Sequence, residues 1–289
     1  MVAAAMAGRV SAQSPAARAT PGDTLIQIDV AARAVQPGEL LVITLTPAAD
    51  VEELRVSVFG KPVSVFAAGD HVWRGLAGID LDQRPGRYSI TAEGVRAGER
   101  VRAVRPLTVA AHAFPTRRLT VLPDYVNPPP AQMQRIERDQ ALLRDAYAHP
   151  LRERVWTEPF VRPVPGAANS VFGTRSVYNG EPRSPHAGAD FLSGAGTPIH
   201  APSAGRIVLA RDLFFTGNTV IIDHGLGVFS LLAHLSQIDV HQGDLVTADQ
   251  ILGLVGATGR VTGPHLHWAL QVSGARVDPL SALKLLGPK

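Results

Sequence analysis

The 289-residue chain contains no cysteine. Disulfides, thiolate metal sites and a cysteine nucleophile are thereby excluded, and any metal must be held by nitrogen and oxygen ligands. Aromatic residues are scarce at 6% and charged residues amount to 18%, whereas glycine (27) and proline (23) are plentiful. That balance favours a turn-rich β protein over a helix bundle. No internal run approaches the ~18 uninterrupted apolar residues of a membrane span, so no integral membrane segment is expected. Net charge is only +3. So small an excess gives no ground for a nucleic-acid partner and fits an anionic polymer equally well.

What is present reads as four segments. Residues 1–22 look like a leader or a partial signal peptide. Their apolar start runs into Val10-Ser11-Ala12-Gln13, a small-residue pattern like that of a cleavage site, but no basic region precedes it. Residues 23–110 form short alternating runs, among them Leu25 to Val30, Leu40 to Leu45, Leu54 to Phe59, Lys61 to Phe66, Arg87 to Ala92 and Val101 to Val109. Turn signals such as Gln36-Pro37-Gly38 and Arg84-Pro85-Gly86 separate them, which predicts a β-sandwich. The aromatic just after Pro85-Gly86-Arg87 makes it immunoglobulin-like. No charged or histidine constellation marks this half, so spacing, docking or regulation is its expected role.

Residues 111–160 read as a connector. After the stiff break Asn127-Pro128-Pro129-Pro130, the residues Met133, Ile136, Leu142, Leu143 and Tyr147 recur at helical spacing up to His149-Pro150. That predicts an amphipathic helix with a packing face. Over residues 161–289 the β pattern returns in Gly205 to Ala210, Thr219 to Asp223, Val228 to Ala233, Gln250 to Val255 and His267 to Val272, predicting a compact, mostly antiparallel β domain.

Of ten histidines, four fall with one aspartate into three short patterns of this last segment. In His186-Ala187-Gly188-Ala189-Asp190 the two polar residues are separated by an even number of positions. On an extended chain they point to one face, with Gly188 between them leaving room above that face. In Gly263-Pro264-His265-Leu266-His267 two imidazoles again share a face. His234 lies alone in the apolar run Leu232-Ala233-His234-Leu235. Two imidazoles and a carboxylate suit zinc, and catalytic zinc sites keep three protein ligands and one position for water. His186, Asp190 and His267 supply those three. His265 and His234 then stand beside the water, one to take its proton and the other to support an oxyanion or protonate a leaving amine. Apart, each pattern is weak; together, in this order, they predict one catalytic metal site.

These motifs resemble the lysostaphin-type, or LytM-like, zinc endopeptidases of bacterial cell walls. The likeness runs from about Val171 to Pro279. It includes His186 to Phe191, Gly196-Thr197-Pro198-Ile199-His200-Ala201-Pro202, Gly217 to Gly225, Ala233-His234-Leu235, Gly253 to Gly259 and Thr262 to Trp268. The resemblance implies a C-terminal domain like the duplicated hybrid motif and one zinc per chain. It also implies His186, Asp190 and His267 as ligands, His265 as general base and His234 as the second active-site histidine. It further implies hydrolysis of peptide bonds in peptidoglycan stems or cross-links, in the periplasm, the cell envelope or the medium. A monomer with a regulatory partner at the β-sandwich is the expected assembly.

One departure is Leu232, where relatives often carry tyrosine. If that hydroxyl serves the oxyanion, this chain must rely on His234 or another donor. The alternative function is a non-catalytic or latent envelope protein that binds peptidoglycan and activates other wall hydrolases. A related expectation is that the connector folds over the cleft and occupies the fourth zinc position. The other histidines, His71, His112, His149, His200, His224 and His241, are expected to be surface or ordinary packed residues. Trp268 is expected to face the core, and Arg260 to be a solvated charge or a contact for a substrate carboxylate.

Overall fold

The computed structural model describes residues 25–120, 128–157, 159–168 and 172–288. The leader at 1–22, Asn127 of the proline break and Val171 lie outside the described residues.

The first eight strands are β1 (Ile26–Ala31), β2 (Leu40–Pro47), β3 (Val51–Val58), β4 (Lys61–Val63), β5 (Val65–Gly69), β6 (Val72–Gly78), β7 (Gly86–Arg96) and β8 (Glu99–Val109). They form two four-stranded antiparallel sheets in the orders β1-β2-β6-β5 and β4-β3-β7-β8. Alternate residues such as Ile26, Ile28, Leu41, Ile43, Val56, Val58, Ile90 and Leu107 face inward and close one core between the sheets. Tyr88 donates from its hydroxyl to the Arg84 carbonyl at 2.7 Å and packs edge-on to Phe59, tying the entry of β7 to the turn before it.

Two features differ from the sequence expectation. The run Lys61 to Phe66 is not one strand: β4 pairs with β3 and β5 with β6, so the chain changes sheets at Ser64. Strand β6 went unpredicted because Gly75 and Gly78 dilute its pattern. Those glycines are there for close approach. A Cβ on Gly75 would lie 2.8 Å from Val63, and one on Gly78 would lie 2.6 Å from Ala275 and Val277 across the interface with the C-terminal sheet.

In the connector, β9 (Thr116–Leu119) runs parallel to β10 (Arg175–Tyr178), which pairs with β11 (Glu181–Pro182). After a single 3-10 turn, helix α1 (Met133–Ala148) ends before His149-Pro150, as the pattern predicts. Leu142, Leu143, Ala146 and Tyr147 pack on one face of the C-terminal sheet, with Tyr147 edge-on to Phe229 at 5.1 Å. Met133 departs from the expected stripe and is 45% exposed.

The C-terminal strands are β12 (Gly188–Phe191), β13 (Pro198–His200), β14 (Gly205–Leu213), β15 (Gly217–Gly225), β16 (Val228–Ile238), β17 (Leu245–Val246), β18 (Ile251–Val255), β19 (Leu266–Val272) and β20 (Ala275–Val277). They build a nine-stranded sheet with the central order β12-β19-β16-β15-β14-β17. One face carries Leu232, Leu235, Leu266, Trp268, Ala189 and Phe191 into a core, and the other carries Phe229, Leu231 and Ala233 toward α1. A closing helix, α2 (Pro279–Leu286), was not anticipated, although Asp278-Pro279 is a strong start signal: the Asp278 carboxylate accepts from the Leu280 amide and proline occupies the first turn. Among the described residues no helix is long and apolar enough to cross a membrane.

The sandwich is docked tightly onto this sheet. Leu40, Val42 and Leu76 share a core with Val228, Leu270, Val272, Val277, Trp156 and Phe160. Glu39, only 2% exposed, accepts from Arg33 and from the Ser281 hydroxyl, and Arg33 also bonds Asp278 at 2.6 Å. Arg276 on β20 reaches Asp80 and Asp82, both at 2.7 Å. Buried charge of this kind is tolerable only because each group is paired.

Candidate metal centre and active site

Asp190 on β12 sits directly opposite His267 on β19, and Gly188 opposite Ala269. This register places Asp190 and His267 on one face of the sheet, with Ala189 and Trp268 on the other. His186, just ahead of β12, folds over the same face. His186 Nε2 lies 3.0 Å from Asp190 Oδ1 and 3.1 Å from His267 Nδ1, and His267 Nδ1 lies 2.8 Å from Asp190 Oδ1. The three atoms form a near-equilateral triangle on half-buried side chains.

Hydrogen bonding does not account for this triangle. A carboxylate and an unprotonated ring nitrogen cannot donate, and two N–H groups aimed at the same oxygen would confront each other at 3.1 Å. A shared cation resolves the conflict, and the residues present fit one. Burial alone would raise the pKa of Asp190, but the adjoining His186 and His267 rings outweigh it and hold the carboxyl well below the usual range. Burial lowers the pKa of His267, favouring the uncharged ring that a ligand needs. Gly188 is essential to the geometry. A Cβ there would meet the Trp268 carbonyl oxygen at 2.5 Å and His267 Cε1 at 2.6 Å, so the missing side chain makes room for the His267 ring itself.

His265 precedes β19 and bridges to Gly256. Its Nδ1 donates to the Gly263 carbonyl at 2.9 Å, since a carbonyl can only accept, and its Nε2 lies 4.0 Å from Asp190 Oδ1. His234 reaches the same place by an irregularity. Ala233 pairs with His267 and so faces the triangle; on a regular strand His234 would face the core. Between Leu232 and Leu235, however, β16 spends three steps while β15 advances two, from Val220 to Asn218. This bulge puts His234 at φ +68°, a left-handed conformation costing roughly 1–3 kcal/mol for a non-glycine residue. Its ring is thereby brought to 4.8 Å from that of His265 and 6.1 Å from that of His267. His234 Nδ1 donates to the Thr258 carbonyl at 3.0 Å, and burial pulls the pKa of the ring down to about 4, so it is neutral at pH 7.

All five histidine and aspartate side chains singled out in the sequence are therefore together. Leu232 is not: it is fully buried on the opposite face against Trp268, so a tyrosine hydroxyl there would not point at the triangle, and the expected loss of an oxyanion donor has no basis in the geometry. His224 is of the packed kind among the remaining histidines. Fully buried, it donates from Nδ1 to the Ala204 carbonyl and accepts at Nε2 from Ser230, whose oxygen accepts in turn from Trp268 Nε1. That chain orients Trp268, the neighbour of His267, and burial lowers the pKa of His224 to about 4.

Sequence reasoning missed Thr258. Its hydroxyl accepts from the Asn218 amide at 2.9 Å and donates to the Leu235 carbonyl at 2.7 Å, pinning the loop that holds His234. The tight Gly256-Ala257-Thr258-Gly259 run was the available signal: a Cβ on Gly217 would meet Thr258 at 2.3 Å. Beside His186 an open cleft is lined by Ser176, Tyr178, Arg183, Gln140, Phe215 and Arg260, with the Arg260 guanidinium 4.9 Å from the Phe215 ring.

Residues 184–279 match the model of Peptidase family M23. The similarity extends beyond that stretch. A crystal structure described as a peptidase M23 from Pseudomonas aeruginosa is 35% identical, with a TM-score of 0.66, covering 87% of this chain and 96% of that one. The chain belongs to peptidase family M23. The M23 stretch is also 43% identical over 99 residues to the peptidoglycan DD-endopeptidase ShyA of Vibrio cholerae, covering 34% of this chain and 23% of that protein. It is 42% identical over 96 residues to the DD-carboxypeptidase/endopeptidase Mpg of Neisseria meningitidis, covering 33% and 22%. The chain thus spans about a quarter of the length of the curated relatives it matches.

Proposed function

We propose that this M23 chain is a zinc-dependent endopeptidase that hydrolyses peptide bonds in peptidoglycan stems or cross-links, acting outside the cytoplasm as a monomer. The carrying observation is the triangle of His186 Nε2, Asp190 Oδ1 and His267 Nδ1, with two further imidazoles alongside and an open cleft beside it. Tetrahedral zinc with ligands at ~2.0–2.1 Å has donor–donor edges of about 3.3 Å, close to the spacing found here. Bound there, zinc would polarise the scissile carbonyl and acidify the attacking water.

The protein's own groups supply the rest. His265 donates from Nδ1 to the Gly263 carbonyl, which leaves its Nε2, 4.0 Å from Asp190 Oδ1, beside the triangle as the base for the water proton. His234 lies near enough to take that proton up and return it to the leaving amine, or to hold it against the developing oxyanion. Burial disfavours its charged form, so any proton it takes up is readily given back. The ShyA and Mpg names support peptidoglycan as substrate, and the sandwich is a surface for a regulatory partner.

The test is digestion of purified peptidoglycan with and without chelator, products being identified by mass. Chelator-sensitive release of cross-linked stem fragments is expected. A zinc-loaded protein that releases none would move the assignment to a non-catalytic activator of other wall hydrolases.

A further inference from the structure

The connector helix carries a buried acid that the site chemistry does not use. Asp139 lies in the apolar stripe of α1, between Ile136 and Leu143, and is only 5% exposed. Its Oδ2 accepts from the Phe214 backbone amide at 2.8 Å, and its Oδ1 accepts from Arg138 at 3.2 Å. Arg135, one turn earlier, bonds Asp212 at 2.6 Å and stands over the Phe214 ring. Helix α1 thus grips the end of β14 and the turn into β15 at three points.

That turn is the one that holds the active-site loops. The Phe215 carbonyl accepts from the Arg260 amide at 3.0 Å, and the Thr216 carbonyl accepts from the His234 amide at 2.9 Å. The Thr216 hydroxyl bonds that of Thr219 at 2.7 Å. His234 needs such restraint because it sits in a left-handed conformation that only its surroundings enforce. An amide in a turn, pinned by a carboxylate that is itself held among arginines, provides a fixed carbonyl two residues later.

We propose that Asp139 is a positioning residue for His234, acting through the Phe214–Thr216 turn, so that the connector helix is part of the catalytic scaffold. This rests on the reading of His234 as a participant in hydrolysis. Asp139 touches neither metal nor substrate. Its carboxylate fixes the turn, the turn fixes the His234 backbone, and the backbone aims the ring.

The experiment uses the full chain, zinc-loaded, with a cross-linked muropeptide dimer as substrate, and records the ring signals of His234 by nitrogen-15 NMR. Asp139→Ala removes the acceptor. It is expected to lower kcat about 10- to 100-fold, the scale on which small misplacements of catalytic groups act. KM and zinc content should hold, and the His234 signals should shift. Asp139→Asn keeps a carbonyl oxygen for the Phe214 amide and is expected to restore both rate and spectrum. Should the alanine variant fail to fold, Asp139→Glu, which displaces the acceptor by one methylene, carries the same expectation. Unmoved His234 signals and kcat within about twofold of the wild type overturn the proposal, even if Tm falls. A His234→Ala variant with full activity would instead overturn the role of His234 itself, and the ring spectrum would still report whether Asp139 sets its position.

Discussion

Gly188→Ala offers a sharp test of how the metal triangle is built. The new methyl would lie 2.5 Å from the Trp268 carbonyl oxygen, 2.6 Å from His267 Cε1 and 2.8 Å from His267 Nε2, where ordinary contact begins near 3.4 Å. About 0.8–0.9 Å must therefore be found. The Trp268 oxygen belongs to the strand paired with β12, so it can retreat only if the two strands part. Either they do, carrying Asp190 away, or the His267 ring swings out, carrying Nδ1 off the triangle. Overpacking of this kind costs about 1–3 kcal/mol. Expressed as lost metal affinity, that is about 5- to 150-fold at 1.4 kcal/mol per tenfold. Competition of the purified variant against a chromogenic chelator measures the zinc Kd, and a thermal melt of the metal-free protein measures the strain separately. A variant that binds zinc within twofold of the wild type, with an unchanged melt, would refute the reasoning.

Four further outcomes are expected. His186→Ala should lose zinc content and activity together, whereas His265→Ala should keep the metal, read by elemental analysis, and lose only turnover. Thr258→Val strands the Asn218 amide, a loss of about 1–3 kcal/mol, and should lower kcat, while Thr258→Ser keeps the hydroxyl and should restore it in the same hydrolysis assay. Burial alone would raise the pKa of Asp80, but hydrogen bonds from the Arg276 side chain and from the Arg276 and Asp82 amides hold it below its ordinary value. The stability it adds is complete above its unfolded pKa of about 3.9 and is lost as pH falls through the folded value. Denaturant melts should show Asp80→Asn less stable than wild type by about 1 kcal/mol at pH 7, after allowance for screening, with the gap closing in acid. A fragment beginning at Val161 lacks α1 and Trp156 and uncovers Val228, Leu270 and Val272, so it should melt lower and turn over more slowly than the full chain. Faster turnover by that fragment would instead support a connector that blocks the cleft, whose residues 121–127 lie outside the described ones.

Much of the centre was legible because alternation along a strand is a local property. His186-x-Gly188-x-Asp190 and His265-x-His267 each declare a shared face, and paired strands bring those faces together. The sandwich was legible for the same reason, down to Tyr88 after its turn. What escaped depends on contacts distant in sequence. Strand β6 is glycine-diluted because other elements crowd it, and the change of sheets at Ser64 follows from which neighbours β4 and β5 find. The acid in the stripe of α1 carries no local signal, because its partner, the Phe214 amide, lies 75 residues away.

From its residues alone the chain determined the kind of donor, nitrogen and oxygen because there is no cysteine, and the trio able to supply it. Tertiary structure decided how His234 faces. Regular alternation would bury that ring, and only the bulge between β15 and β16, held by Thr216 and Thr258, turns it toward His265. Local periodicity states which side chains travel together; where a strand breaks step is set by the partners it meets after folding.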